Sequence, residues 1–427
     1  MNVIYDISAI GASLYRDQAR TGIFRVVENV ARELISSEDC DLMLCATASF
    51  RELKGSQSYL ESCAEFSRIP FIFPKWQAAK KIAFKLDDNL STIGTSSEIG
   101  LPLKVWRRVL YHSVKLLEHN FHRFEASLLP EEGIFHSPFY SLPKRSRISK
   151  RLKRFLTVYD LIPILAPQFF GGNKKHHLNY ILGSLEMNDW ILCISEATKK
   201  ELCDYLKFDP ARVFITYLAA STELFYPCRD VSKIRATLAR YKIPDVPYIL
   251  SLNTLEPRKN IDHAIRCFAR LVREQHLRDL NFVLVGPKGW DYGKVFDAIA
   301  ENDSVKDRII LTGYVADEDL AALYSGALAF VYPSFYEGFG LPPLEAMQCG
   351  VPVITSNTSS LPEVVGEAGI MLDPRDEVGL CSSLLELYEN PSLRDNMAKK
   401  SLQQAQKFSW QKCAQDTISA YRVALNS

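Results

Sequence analysis

Short apolar runs alternate with amphipathic helical stretches along most of the chain, and no other feature narrows the fold as much. Val3–Ile7, Leu42–Ala46, Ile134–Phe135, Phe155–Tyr159, Trp190–Ile194 and Val213–Ile215 read as strands, with a helix from Ile23 to about Leu34 after the first. A second series begins at Tyr248–Leu252 and continues through Phe282–Val285, Ile309–Leu311, Ala329–Tyr332 and Val353–Thr355. Strands joined through helices build parallel sheets covered on both faces. The 427 residues suffice for two such α/β units of roughly 200 residues each. Prolines, a charged helix and the sequence IPDVP crowd Phe225–Pro247. The expected division is therefore residues 1–228, residues 229–407 and a final segment, 408–427, whose Trp410–Leu425 stretch is amphipathic at helical spacing.

Composition excludes more than it assigns. Hydrophobic residues make up 47% and charged residues 24%, an ordinary globular balance. A net charge of +1 gives no global attraction to nucleic acid. No uncharged apolar run reaches the roughly 20 residues that span a bilayer. The opening MNVIYDISAIG has an early Asp6 and no basic start, so it reads as a first strand and not as a signal peptide. Ten cysteines include no C-x-x-C pair and fall mostly inside apolar patterns. Reduced thiols in a cytoplasmic protein are the expectation, and a zinc site is not. The stretch Gln57–Glu125 is hard to read. Within it, Lys75–Leu86 and Lys104–Leu117 interleave bases with apolar residues. Each is either a helix with one face packed and one solvated, or a surface for anionic lipid.

The chemistry concentrates in Tyr332–Gly350, YPSFYEGFGLPPLEAMQCG. An apolar strand runs into a loop holding Gly338 and Gly340, then into a helix opened by Pro342-Pro343 and stopped by Gly350, with Glu345 expected on its first turn. Glycine admits close approach of main-chain N–H groups, and proline in a first helical turn sacrifices no hydrogen bond. The start of the helix favours an anion such as phosphate. Glu337 and Glu345, eight positions apart, can accept hydrogen bonds from sugar or ribose hydroxyls. Arg258 and Lys259 follow the strand Tyr248–Leu252 and the loop Asn253–Pro257. A basic pair opening a helix opposes the helix dipole, so an anionic ligand is the more natural reason for it.

The Glu337-to-Glu345 segment resembles the E-x7-E signature of the retaining glycosyltransferases of family 4, which have the GT-B fold. SLNTLEPRKNI (Ser251–Ile261), LVGPKGW (Leu284–Trp290), LTGYVADEDL (Leu311–Leu320), GVPVITSNTSSLPEVVGEAG (Gly350–Gly369) and FSW (Phe408–Trp410) follow in the expected order. The C-terminal half matches throughout, the N-terminal half in patches. The resemblance implies two facing Rossmann-like domains with a ligand cleft between them, and a last helix crossing back to the N-terminal domain. It also implies a nucleotide-sugar donor and no metal or other cofactor.

Residue by residue, the resemblance places Arg258 and Lys259 on the leaving diphosphate, Glu345 on the ribose and Glu337 on the transferred sugar. The backbone of Gly338, Phe339, Gly340 and Leu341 would line sugar and phosphate, beside the loop that starts at Asn253. Val315 would read the nucleobase through its backbone, or else simply pack at a strand end. Gly22, in RTGIFR (Arg20–Arg25), resembles the family's glycine loop, which often has a second glycine where this chain has Thr21. His136 would face the cleft; a core or surface histidine is the other reading. Asp160 lies in TVYDLIP, where Tyr159 replaces the histidine of many relatives and leaves the acceptor's proton acceptor open. Asp317-x-Asp319 has the shape of a metal-binding DxD, but it opens a helix, where Asp serves as a cap.

The expected activity is a retaining hexosyl transfer from a nucleotide-diphosphate sugar, GDP-mannose first, to a saccharide or lipid-linked saccharide. The form of the motifs looks most like bacterial mannosyltransferases of surface-polysaccharide assembly, acting in the cytoplasm at the inner face of the membrane. A non-catalytic sugar-nucleotide-binding protein and a nucleotide-sugar epimerase on the same scaffold are the alternatives.

Overall fold

The computed structural model describes residues 1–15, 22–73, 81–82, 84–86, 101–121, 124, 126–170 and 177–427. Two six-stranded sheets form, and every strand pair in them is parallel. The first contains β1 (Asn2–Asp6), β2 (Asp41–Cys45), β3 (Gly133–Ser137), β4 (Leu152–Val158), β5 (Trp190–Cys193) and β6 (Val213–Ile215), in the order β2-β1-β3-β4-β5-β6. The second contains β7 (Tyr248–Leu252), β8 (Asn281–Val285), β9 (Ile309–Gly313), β10 (Ala329–Tyr332), β11 (Val353–Ser356) and β12 (Ile370–Leu372), in the order β12-β11-β10-β7-β8-β9. The sequence reading lacked β12, a three-residue edge strand that is only half-buried.

The strands are short and apolar because helices cover both faces of each sheet. The helix Ile261–Glu274 turns Ile261, Ala264, Ile265, Phe268, Leu271 and Val272 inward at helical spacing, onto Phe282, Leu284 and Val331 of the second sheet. The helix Gly22–Ile35 does the same for the first sheet with Phe24, Val27, Ala31 and Leu34. The helix Val231–Arg240 packs on Asp317–Ser325, so the chain has passed to the second unit before it. The return passage ends in the helix Trp410–Leu425, which packs on Gly22–Ile35 and buries Cys413, Ile418 and Tyr421. Ser409 caps that helix, its hydroxyl accepting from the Lys412 amide.

In each sheet the strand order reverses beside the first strand: between β1 and β3, and between β7 and β10. In open parallel sheets such reversal points open a crevice at the carboxyl ends of the strands. The loops after β7 and β10 carry Arg258, Lys259 and Glu337, so topology alone brings these distant residues together.

The interleaved segment Leu101–Phe121 is one helix. It sets Leu110 and Val114 against Ala46, Phe50 and Leu53, while Val105, Trp106, Val109 and Leu116 stay exposed. Of Lys75–Leu86, only Lys81–Ile82 and Phe84–Leu86 are among the described residues, all helical; Lys80 lies outside them.

Candidate active site

After β7 the chain makes a single tight turn, Pro257–Lys259, before the next helix. Asn260 closes it in the left-handed region, at φ 58°. Its side-chain amide donates to the Pro333 carbonyl at 3.1 Å and the Pro374 carbonyl at 2.7 Å, fixing the turn to two neighbouring loops. The turn delivers Lys259, which is buried, under the loop after β10. Lys259 Nζ lies 2.6 Å from Glu337 Oε1 and 2.7 Å from the Tyr332 hydroxyl. Arg258 Nη1 lies 2.8 Å from Glu337 Oε2 and donates to the Tyr336 carbonyl at 2.6 Å; Nη2 reaches Glu256 at 2.6 Å.

Two cations therefore share one carboxylate. Burial alone would push the Glu337 carboxyl up, but Arg258 and then Lys259 outweigh it and hold it down at about 2. Burial lowers Lys259, against the pull of Glu337. Arg258 is raised: burial works against its charge, and Glu337 and Glu256 overcome that. Among these four side chains the formal charges cancel. Arg258 Nε and Asn253 Oδ1 are buried without a hydrogen-bond partner; a buried orphan of this kind costs about 1–3 kcal/mol.

At Gly338 the backbones of the two halves come close together. A Cβ there would come within 2.4 Å of the Tyr159 carbonyl oxygen and 3.0 Å of Asp160 Cβ, so only glycine fits. Gly340, at φ 119°, then turns the chain into the helix Leu341–Gln348. Glu345 is the fifth residue of that helix, just past its first turn. It accepts from the Tyr324 hydroxyl at 3.0 Å, with Arg25 Nη1 at 3.9 Å. Burial pushes Glu345 up to about 7, with Arg25 and Tyr324 pulling the other way.

These loops enclose a cavity of about 710 Å³ between the halves of the molecule, within the usual range for small-ligand sites. Every residue assigned to donor binding from the sequence lines it: Gly22, Asn253, Arg258, Lys259, Val315, Glu337 to Leu341, and Glu345. Asp160 lines it from the N-terminal half. Gly22 begins its helix opposite Leu341. Among the described residues, a methyl group added at Gly22 would meet nothing nearer than 3.9 Å. Arg20 and Thr21 of the expected glycine loop lie outside the described residues.

His136 does not line the cavity, against expectation. β3 is buried along its whole length, and His136 turns into the core. Nδ1 sits 2.6 Å from the Tyr421 hydroxyl and Nε2 2.8 Å from Thr157 Oγ1, between the sheet and the last helix. Burial lowers it to about 3, so it is a neutral structural group at pH 7. Tyr159 does line the cavity, but its hydroxyl is buried without a hydrogen-bond partner.

Asp317 and Asp319 are not helix caps. The cap position is Ala316, with no side-chain bond. Asp317 instead pairs with Arg25 at 2.6 Å, while Asp319 takes Arg240 at 2.6 Å and the Tyr241 hydroxyl at 2.8 Å. The two carboxylates face different partners and do not converge on a shared ligand. Arg25 is a charged cavity residue that sequence reasoning passed over. Its position, three residues after Gly22 on the same helix, was the available signal.

Residues 235–404 match the family described as glycosyl transferases group 1. The chain is 37% identical, over 295 residues, to the O-antigen chain mannosyltransferase B of Escherichia coli, covering 69% of this chain and 75% of that one. It is 31% identical over 277 residues to the serotype-specific mannosyltransferase WbdA of Escherichia coli, covering 64% of this chain and 34% of WbdA. It thus spans about a third of WbdA's length. The fold matches that of HepE from Anabaena, solved with UDP and glucose, at a TM-score of 0.62, 15% identity and 98% coverage of both chains.

Proposed function

The chain belongs to the glycosyl transferases group 1 family and has the GT-B fold, and from that premise we propose that it transfers mannose from GDP-mannose to a growing surface polysaccharide, with retention of anomeric configuration. The carrying observation is the Arg258–Lys259–Glu337 cluster at the strand-order reversal, in a cavity that Asp160 of the N-terminal half also lines. The mannosyltransferase relatives support the choice of sugar.

In this reading Arg258 and Lys259 turn from Glu337 toward the diphosphate as its charge grows, and the orphan Arg258 Nε gains an acceptor. Electrostatic stabilisation in a dry pocket then supplies most of the rate. Glu337, held ionised, accepts from hydroxyls of the transferred sugar. Glu345 takes the ribose, Val315 the base, and Gly22 approaches the phosphates. The bond from the sugar C1 to phosphate oxygen breaks with its electron pair going to the diphosphate. The acceptor oxygen bonds C1 from the same face, and its proton passes to a donor phosphate oxygen. His136, sealed in the core, takes no part in that transfer. The reaction needs no metal, because Arg258, Lys259 and the helix start at Leu341 meet the phosphate charge.

The acceptor, in the same reading, is a lipid-linked saccharide met at the cytoplasmic membrane face. The helix Leu101–Phe121 exposes Val105, Val109 and Leu116 beside Lys104 and Arg108, which suits an anionic lipid surface. Among the described residues no helix is long and apolar enough to cross a membrane.

A thermal-shift screen of GDP-mannose, GDP-fucose and UDP-hexoses tests the donor, since a bound ligand raises Tm according to its affinity. GDP-mannose should give the largest shift. A larger shift with a UDP-sugar would reassign base and sugar together.

A further inference from the structure

In that reading Glu337 must meet the sugar while Arg258 and Lys259 compete for it, so small displacements of its loop matter. What holds its loop is therefore informative, and the supports come from both halves of the molecule. On its own side, the Glu337 amide donates to Ser359 Oγ at 2.9 Å and its carbonyl accepts from Ser360 Oγ at 2.9 Å. Those serines lead into the short helix Leu361–Val365. On the far side stands the helix Glu196–Leu206, which follows β5. Its capping residue Ser195 donates to the Gly338 carbonyl at 2.9 Å, and its Glu201 accepts from the Tyr336 hydroxyl. Tyr336 and Gly338 are the two chain neighbours of Glu337, so one N-terminal helix grips the loop on each side of it.

One residue fastens these two supports together. Glu363, in Leu361–Val365 and outside the cavity lining, accepts from the Glu196 amide at 2.7 Å and the Ala197 amide at 2.8 Å. The Tyr217 hydroxyl donates to it at 3.2 Å. A carboxylate on the first-turn amides of a helix makes charge-assisted bonds and meets the positive end of the dipole. Both its oxygens are engaged, so the contact fixes orientation as well as distance.

We propose that Glu363 is a positioning residue for Glu337: it clamps Leu361–Val365 to the start of Glu196–Leu206 and so holds the Tyr336–Gly338 loop in register across the cleft. The proposal rests on the reading that Glu337 serves the transferred sugar. It predicts that donor turnover depends on Glu363 more than nucleotide affinity does, because Arg258 and Lys259 are carried by the turn Pro257–Lys259 and Glu345 by the helix Leu341–Gln348.

Three variants test it: Glu363→Ala, Glu363→Gln and, as reference, Glu337→Gln. Hydrogen–deuterium exchange of residues 336–340 reads loop order without any donor. Glu363→Ala should speed that exchange by about tenfold while leaving residues 256–260 unchanged. With GDP-mannose, kcat should fall at least about tenfold, a magnitude expected from misplacing a reacting group. GDP affinity by calorimetry should stay within about twofold, since uniform binding is untouched. Glu363→Gln, which still accepts from one amide, should fall between. Unchanged exchange and kcat in folded Glu363→Ala would overturn the proposal. So would a kcat loss matched by an equal loss of GDP affinity, which would show general loosening. If Glu337→Gln keeps its kcat, the role of Glu337 fails instead, and the exchange result still decides whether Glu363 holds the loop.

Discussion

Arg25 and Asp317 join the two halves of the molecule across the mouth of the cleft, Nη2 to Oδ1 at 2.6 Å. The same guanidinium stands 3.9 Å from Glu345. Arg25 therefore helps decide whether Glu345, the carboxylate proposed to take the ribose, is charged when a nucleotide arrives.

That arrangement gives a pH dependence. Burial raises Glu345 to about 7, and Arg25 opposes the rise. A protonated carboxyl is a poorer acceptor for ribose hydroxyls, so nucleoside-diphosphate affinity should weaken as pH falls through about 7. Arg25→Gln should move that midpoint upward. Calorimetry across pH 6 to 9 is the check, and an unmoved midpoint would separate Arg25 from Glu345. The stability sign is opposite. A carboxyl raised above its unfolded value stabilises the fold at low pH, and that contribution is lost as pH rises from about 4.5 to about 7.

The shared carboxylate makes Lys259 and Glu337 behave unlike a simple pair of ligands. Lys259→Ala should lower kcat by roughly 10²-fold or more and weaken nucleoside diphosphate. Glu337→Gln should abolish most turnover yet bind nucleoside diphosphate at least as tightly as wild type, because it frees two cations that now neutralise it. Glu345→Ala should weaken both free nucleotide and donor. Calorimetry paired with turnover measures all three, and equal losses of nucleotide in Glu337→Gln and Glu345→Ala would contradict the assignment.

Asp319 should matter for stability and not for chemistry. Its buried carboxylate holds Arg240 and Tyr241. Asp319→Asn should lower Tm while leaving kcat per folded molecule close to wild type, and chelator should leave activity intact. A strict requirement for magnesium that Asp319→Asn abolishes would return the pair to a metal role.

The exposed side of Leu101–Phe121 should make the protein float with anionic liposomes at low salt. Each base near such a surface contributes about 1 kcal/mol, and salt screens it. Replacing Lys104, Arg107 and Arg108 with Gln should reduce flotation, and Trp106→Ala should do so at any salt. Protein that stays at the bottom of the gradient throughout would mean the acceptor comes to a soluble enzyme.

The sequence disclosed the residues that gather at the cavity on the side of the second sheet because their determinants are local. A strand, a glycine turn and a proline-opened helix are written within Tyr332–Gly350, and each strand of the second sheet except β12 shows as one apolar run. What stayed hidden depends on direction or distance. His136 sits in a strand buried on both faces, where no alternation of apolar and polar residues reveals which way a side chain points. Arg25 meets a partner 292 positions away. Asp317 and Asp319 look the same in sequence whether they cap a helix or pair with distant arginines. Glu345 stands one residue deeper than the proline pair suggests, because Gly340 caps the helix and Leu341 begins it.

The last helix carries a consequence for the order in which the protein is made. Tyr421 closes the core of the first sheet, its ring 4.9 Å from Phe155 and its hydroxyl on His136. Residues 2–215 leave the ribosome first, yet one wall of their sheet arrives only with Trp410–Leu425. Until then an apolar face spanning Tyr5, Phe155 and Trp190 stays open to other chains. The first sheet is thus synthesised before the second yet closed after it, once the second sheet has had time to close on its own helices.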